Sequence, residues 1–255
     1  MIARPITLPQ NDRPTPGRKP RSGFTLIELL VSLMIVAVLI VLLWPARPNV
    51  PSTPRRSTCK NNLKQIGLAL HNYVEIYGAL PPAYTVDANG QPLHSWRTLI
   101  LPFMDQAPLY AKIDLNKPWG DPVNAEARNS MPHSVYQCPS VDAPPGFTTY
   151  LAVAGPGCCF QPGQPRPFSE ITDGLSNTLL VIEVSKPHAV HWMAPQDADV
   201  ALILSLGKAA KELPHTGGVH GLLGDGAIRF LRADLPTHTW KGLCTVSGNE
   251  KLGEF

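Results

Sequence analysis

The chain has 255 residues, 28 of them proline, with 16% charged residues and a formal net charge of +3. That length holds one domain with a real core, and the sparse charge and abundant proline favour a loop-rich globular domain over general disorder or a long coiled coil. No basic stripe or recognition motif occurs, so no nucleic-acid partner is expected.

Residues 1–23 form a basic leader. Arg4, Arg13, Arg18, Lys19 and Arg21 stand against the single acid Asp12, and Pro5, Pro9, Pro14, Pro16 and Pro20 forbid a helix. By the positive-inside rule the leader stays in the cytoplasm and the C-terminal part is exported. From Phe24 to Leu43 the only charge is Glu28, and there is no Gly or Pro. Twenty residues at helical rise reach about 30 Å, the thickness of a bilayer's hydrocarbon core. Trp44 sits where an interfacial anchor would, and Pro45 ends the pattern. Residues 24–44 are therefore expected to be a transmembrane helix. A buried soluble helix would show a polar face. A cleavable signal peptide would end in a small-x-small site, whereas this run ends in Leu42-Leu43-Trp44-Pro45.

Residues 45–54 carry Pro45, Pro48, Pro51 and Pro54 and read as a semi-rigid linker to a domain over 55–255. Leu63, Ile66, Leu70, Tyr73, Val74 and Tyr77 recur at helical steps, with Lys60, Lys64 and Asn72 free to face outward. The spacing predicts an amphipathic helix over 55–77, stopped by Gly78 and Pro81-Pro82. A short helix is expected around Trp96 to Phe103, with Trp96 in the core, and a Gly/Pro-rich loop over 155–167. Residues 178–184 read as a buried strand. The preceding Asp173-Gly174-Leu175-Ser176-Asn177 reads as a turn, because Asp and Asn bond their own backbone. Its oxygens offer a second reading, a calcium site with ligands from Asp173, Ser176 and Asn177; otherwise no cofactor is expected. Residues 217–231 read as a hairpin, with arms 219–223 and 227–231. Asp225-Gly226 would be a two-residue turn with positive φ at both positions, Ile228 and Phe230 facing the core and Arg229 solvent. The fold class is α+β: the amphipathic helix packed on an antiparallel sheet.

The five cysteines, Cys59, Cys138, Cys158, Cys159 and Cys244, contain no C-x-x-C. Disulfides are permitted if the domain is exported, but an odd count leaves at least one thiol without an intramolecular partner, and the connectivity stays open. The most suggestive catalytic set is Glu183, His188, His191, His215, His220 and Asp225. The pair His188 and His191 lacks the glutamate of a metalloprotease helix, and Gly217-Gly218 leaves the placement of His215 against His220 open. No G-x-S-x-G, Walker loop or G-x-G-x-x-G occurs. The chain is expected not to be an enzyme.

The junction Ser22-Gly23-Phe24-Thr25-Leu26-Ile27-Glu28 resembles the prepilin processing site of type IV pilins and type II secretion pseudopilins. The resemblance implies cleavage after Gly23 by a prepilin peptidase, methylation of the new amino terminus at Phe24, and a Glu28 that meets the terminal amine of a neighbouring pilin-like subunit. A carboxylate near the bilayer needs such a partner. The stretch from Cys59 to Tyr73, with Asn62, closely resembles a bacterial family, abundant in planctomycetes, that joins a prepilin-type N-terminus to an H-x9-DG domain of unknown function. Trp96 in Ser95-Trp96-Arg97-Thr98 matches it too, as do Cys138-Pro139-Ser140, Asp173-Gly174 with Asn177, Trp192 to Asp197, and His215 followed nine residues later by Asp225-Gly226. The proline-rich linker departs from pilins, whose membrane helix runs on into the domain.

These readings imply a membrane-anchored prepilin- or pseudopilin-like structural protein, single-pass in the bacterial inner membrane. Its N-terminus would be cytoplasmic and its domain periplasmic or at the cell surface, with a role in pilus-like assembly or protein export. The alternative is a displayed binding module for a glycan, peptide or metal ion, and a third reading is a membrane-anchored metal-dependent hydrolase.

Overall fold

A computed structural model describes residues 25–43, 52–130, 134–207, 212–250, 252–253 and 255. The leader with Gly23, both Phe24 and Trp44 of the expected transmembrane helix, and residues 45–51 of the expected linker lie outside the described residues. The chain divides into two compact units, Met1–Asn49 and Val50–Phe255.

The first unit contains α1, Leu26–Leu43. Its start is set by a reciprocal cap. The Thr25 amide and hydroxyl donate to Glu28 Oε2 at 2.8 and 2.9 Å, and the Glu28 amide returns to the Thr25 hydroxyl at 3.4 Å. This is the capping-box arrangement, which satisfies amides that a first helical turn otherwise leaves free. At 1.5 Å per residue the helix is about 27 Å long. Among the described residues no helix is long and apolar enough to cross a membrane.

The second unit begins with α2, Ser52–Tyr77, then a small hairpin β1 (Tyr84–Val86) and β2 (Pro92–Ser95). Short helices follow: α3 (Trp96–Leu99), a 3-10 turn Leu101–Met104, α4 (Ala107–Tyr110) and α5 (Ala125–Asn129). Next come β3 (Phe147–Thr148), β4 (Tyr150–Ala152), β5 (Leu179–Glu183), β6 (Val190–His191) and α6 (Val200–Leu206). The chain closes with β7 (Gly218–Leu223), β8 (Ile228–Arg232) and α7 (Thr237–Cys244). The mixture of helix and antiparallel sheet is the expected α+β class. The main sheet runs β4-β5-β7-β8, every pair antiparallel.

Helix α2 starts inside the stretch 45–54 read as linker. Pro54 falls in its first turn, where a missing amide hydrogen breaks no intrahelical bond. The helix buries Cys59, Leu63, Ile66 and Leu70 against one face of the sheet, while Tyr77, expected on that stripe, is exposed. Close approach depends on Gly67. A Cβ there would stand 2.8 Å from Leu222 Cδ1 on β7. Gly67→Leu should therefore cost about 1–3 kcal/mol through overpacking, read as a lowered urea midpoint with unchanged m-value.

The expected layering of one helix on one sheet face is incomplete. A second core on the opposite face joins Leu179, Ile182, Val219, Leu223 and Leu231 to Ile203 and Leu206 of α6 and Trp240 and Leu243 of α7. The reason is written in β5, whose five residues are all buried: a strand apolar on both faces needs cover on both.

The hairpin stands at 218–232, close to the expected place, but its turn differs. Leu223 accepts from Gly226 at 3.0 Å and donates to Ala227 at 2.9 Å, enclosing three loop residues, 224–226. Only Gly226, at φ +82°, is left-handed, and Asp225 is not among the positive-φ residues. This is the three-residue loop in which a turn is followed by a left-handed residue. Ile228 and Phe230 are half-buried and Arg229 is exposed, while Leu231 is the fully buried residue of the arm.

Candidate functional site

The site begins at the C-terminal end of β5. Four apolar residues are followed by Glu183, which is fully buried; β4 sets Tyr150 opposite it. A buried carboxylate must be paired. The partners arrive from the neighbouring strand: the His220 amide and ring Nδ1 lie 2.8 and 2.9 Å from Glu183 Oε2. His215, three residues before β7, brings Nε2 to 3.2–3.3 Å from the carboxylate oxygens. Its ring meets that of His220 edge-on at 4.7 Å.

Two cysteines complete the cluster. Cys59 projects from α2, and Cys138 follows a 3-10 turn, Ser134–Tyr136. Their Sγ atoms lie 2.6 Å apart, and both thiols are buried. Asn62, one turn along α2 from Cys59, donates to the Gln137 carbonyl at 2.9 Å and to the Tyr150 hydroxyl at 3.4 Å, fastening the Cys138 segment to the helix. Donor atoms of Cys59, Cys138, Glu183 and His215 all lie within 4.8 Å of one another.

The electrostatics are those of a tightly coupled group. Burial disfavours the charge on Glu183, but the two histidines overcome it and hold the carboxyl at about 2. Burial likewise opposes charge on His215; hydrogen bonds to Cys59 and Glu183 win and raise it to about 9. The hydrogen bond with Cys138, helped by His215, brings Cys59 down to about 6. The same sulfur pair, with burial, pushes Cys138 up. A cysteine, histidine and carboxylate in sequence has the members of a nucleophilic triad. The burial argues against that use, because Cys59 is 0% exposed and offers no face to a substrate.

A second buried constellation is structural. Arg97, 0% exposed, pairs with Asp197 at 2.7 Å and donates to the carbonyls of Trp192, Ala194 and Gln196 at 2.8–3.0 Å. Trp96 Nε1 and the Ala152 amide add 3.0 and 2.8 Å bonds to the same Asp197 oxygen. Burial still leaves the Asp197 carboxyl above its usual range, against the pull of Arg97. The stretches 95–98 and 192–197 thus form one bracket.

The remaining sequence candidates lie elsewhere. Asp173 accepts from the amides of Gly248 and Asn249, both at 2.7 Å, and Asn177 donates to the Asp173 carbonyl at 3.0 Å. Gly174 takes φ +93° before the 3-10 turn Leu175–Asn177, which includes Ser176. A calcium ion bound there would compete with the two amides for the carboxylate. Asp225 accepts from the Ala227 amide inside its own turn, and Gly226 lies beside His71. His191 stacks on Trp119 at 5.0 Å, and His188 ends the 3-10 turn Lys186–His188. Of the six residues in the catalytic set, only Glu183, His215 and His220 come together. The cysteines are absent from that set; the available signals are the acid closing an apolar strand and the family resemblance, which marks Cys59, Cys138 and His215 without saying that they meet.

Residues 18–44 match the family model described as the prokaryotic N-terminal methylation motif. Residues 53–163 match the model described as protein of unknown function (DUF1559). The chain matches a prepilin-like protein with a C-terminal domain of unknown function. No curated protein and no solved structure matches it. The second match includes Cys59, Asn62, Trp96 and Cys138 and ends before Glu183, His215 and the β7–β8 hairpin.

Proposed function

We propose that the chain is a membrane-anchored, non-enzymatic prepilin-like subunit that works in pilus-like assembly or protein export. It is cleaved after Gly23 by a prepilin peptidase and methylated at Phe24. Residues 24–44 span the bacterial inner membrane once, with the leader in the cytoplasm and the α+β domain in the periplasm or at the cell surface. Other pilin-like subunits are its partners.

The observation that carries this reading is the surface of α1. Its large apolar side chains are exposed all the way round, from Leu26 at 78% to Ile40 at 51%. Each is worth about 1.5–3 kcal/mol on leaving water, so the helix calls for a lipid or protein environment. The apolar sequence also starts two residues before α1, at Phe24.

Glu28 supplies the test. In a single chain its carboxylate caps α1 through Thr25. A glutamine caps as well as a glutamate but carries no charge for a neighbour's terminal amine. Glu28→Gln should therefore insert and be processed normally while subunit–subunit cross-links and sheared surface fibres disappear. Cross-linking of Glu28→Gln equal to the parent chain would overturn the assembly role and leave the anchor serving display alone.

A further inference from the structure

We propose that Cys59, Cys138, Glu183 and His215 form a closed, four-coordinate site for one divalent zinc-type metal ion, which ties α2, the Cys138 segment and the β5–β7 sheet together. The site is independent of the membrane reading and holds whatever the chain assembles with.

The donor set selects the ion. Two thiolates, one imidazole and one carboxylate are ligands of zinc and its softer neighbours, whereas calcium and magnesium take oxygen. The geometry suits an ion once the two sulfurs, now 2.6 Å apart, move outward. A tetrahedral ion with bonds of about 2.0–2.3 Å separates its donors by roughly 3.2–3.8 Å, and the four donor atoms already lie within 4.8 Å of one another. The four residues come from separate parts of the chain and are at most 5% exposed, so no position is left for water or substrate. That is the form of a structural site.

The surroundings support the ligands. Glu183 is held by the His220 amide and ring. His215 turns Nε2 toward the cluster and leaves Nδ1 3.5 Å from the Ser140 hydroxyl. Such outer contacts orient metal ligands. The two sulfurs are the closest pair in the cluster. At 2.6 Å they stand far inside van der Waals contact. Either an S–S bond or a shared ion relieves this. An ion would take Glu183 and His215 as its third and fourth ligands, with the sulfurs parting to about 3.7 Å, whereas an S–S bond would leave the Glu183–His215 contact as it stands.

The experiment uses the full chain purified in detergent and dialysed against micromolar zinc, then against metal-free buffer. Metal is measured by plasma mass spectrometry, and cysteine state by alkylation and non-reducing peptide mapping. The expected result is about one zinc per chain, with Cys59 and Cys138 alkylated only after chelation under denaturing conditions. Cobalt substituted for zinc should show the intense visible bands of tetrahedral thiolate ligation. His220→Ala, which leaves all four ligands in place and removes the ring that contacts Glu183 and His215, should weaken zinc binding about 10–100-fold. A Cys59–Cys138 cross-linked peptide without metal would overturn the proposal. So would free thiols in a chain that retains no zinc after dialysis. Both readings come from the unaltered chain, so misfolding of a ligand variant cannot obscure the answer.

Discussion

Asp197→Ala is expected to cost the domain about 3–5 kcal/mol, the range for removing one partner of a buried ion pair. The cause is what remains. Arg97 is fully buried and loses its carboxylate partner, while Trp96 Nε1 and the Ala152 amide lose their acceptor. Asp197→Asn keeps an oxygen for these donors, removes the charge and sets an amide NH2 where the unpartnered Oδ2 stood, so its cost should fall to about 1.5–3 kcal/mol, the scale of a hydrogen bond to a charged group. Replacing both partners by apolar residues often rescues a buried pair, but it should fail here. Arg97 also satisfies the carbonyls of Trp192, Ala194 and Gln196, and an apolar side chain would orphan them at about 1–3 kcal/mol each. The measurement is urea unfolding of the three variants in one buffer. A loss below 1 kcal/mol for Asp197→Ala would show that water reaches Arg97 and that the bracket is not closed.

The local pattern of the chain announced its elements better than its site. The helix over 55–77, the buried strand at 179–183 and the hairpin near 217–231 were readable because apolar spacing has a period of 3.6 in one and a continuous or alternating run in the others. The three-residue turn was misread because D-G suits several turn types, and the choice among them is made by how β7 and β8 close. The second core was missed because α6 is only seven residues long, too short to establish a helical period. The cluster of Cys59, Cys138, Glu183 and His215 was out of reach for another reason. Its members are 79, 45 and 32 residues apart in sequence order, and register, not pattern, brings them together.

The spacing from His215 to Asp225-Gly226 shows what a motif can hide. The residues between are strand β7 with its lead-in and the first loop residue. His215 stands at one end of the strand beside Cys59 and Glu183, and Gly226 turns the chain at the other end beside His71 of α2. The nine-residue interval is filled by a strand. It joins a buried side chain of the Glu183 cluster to a glycine at positive φ, and both ends of the strand lie beside α2.

Gly23→Leu is expected to abolish processing completely while leaving the chain in the membrane. On the proposed topology insertion depends on the apolar run from Phe24 and on the basic leader, and the substitution alters neither. On the same proposal cleavage depends on a peptidase reading the junction, where only glycine presents a backbone without a side chain. Mass spectrometry of the membrane fraction should find a parent chain starting at N-methylated Phe24 and a variant keeping Met1 or the residue after it. The consequence reaches Glu28. With the leader uncut, no terminal amine forms at Phe24, so a neighbour's Glu28 has nothing to meet and remains in its Thr25 cap. Gly23→Leu and Glu28→Gln should therefore share one phenotype, inserted but unassembled chains, reached by removing opposite halves of the same contact. Combining them should do no further harm, because two groups that act only through each other are not additive. A parent chain that keeps its leader in the native membrane would break this argument at its first step, and the junction would then be an anchor sequence alone.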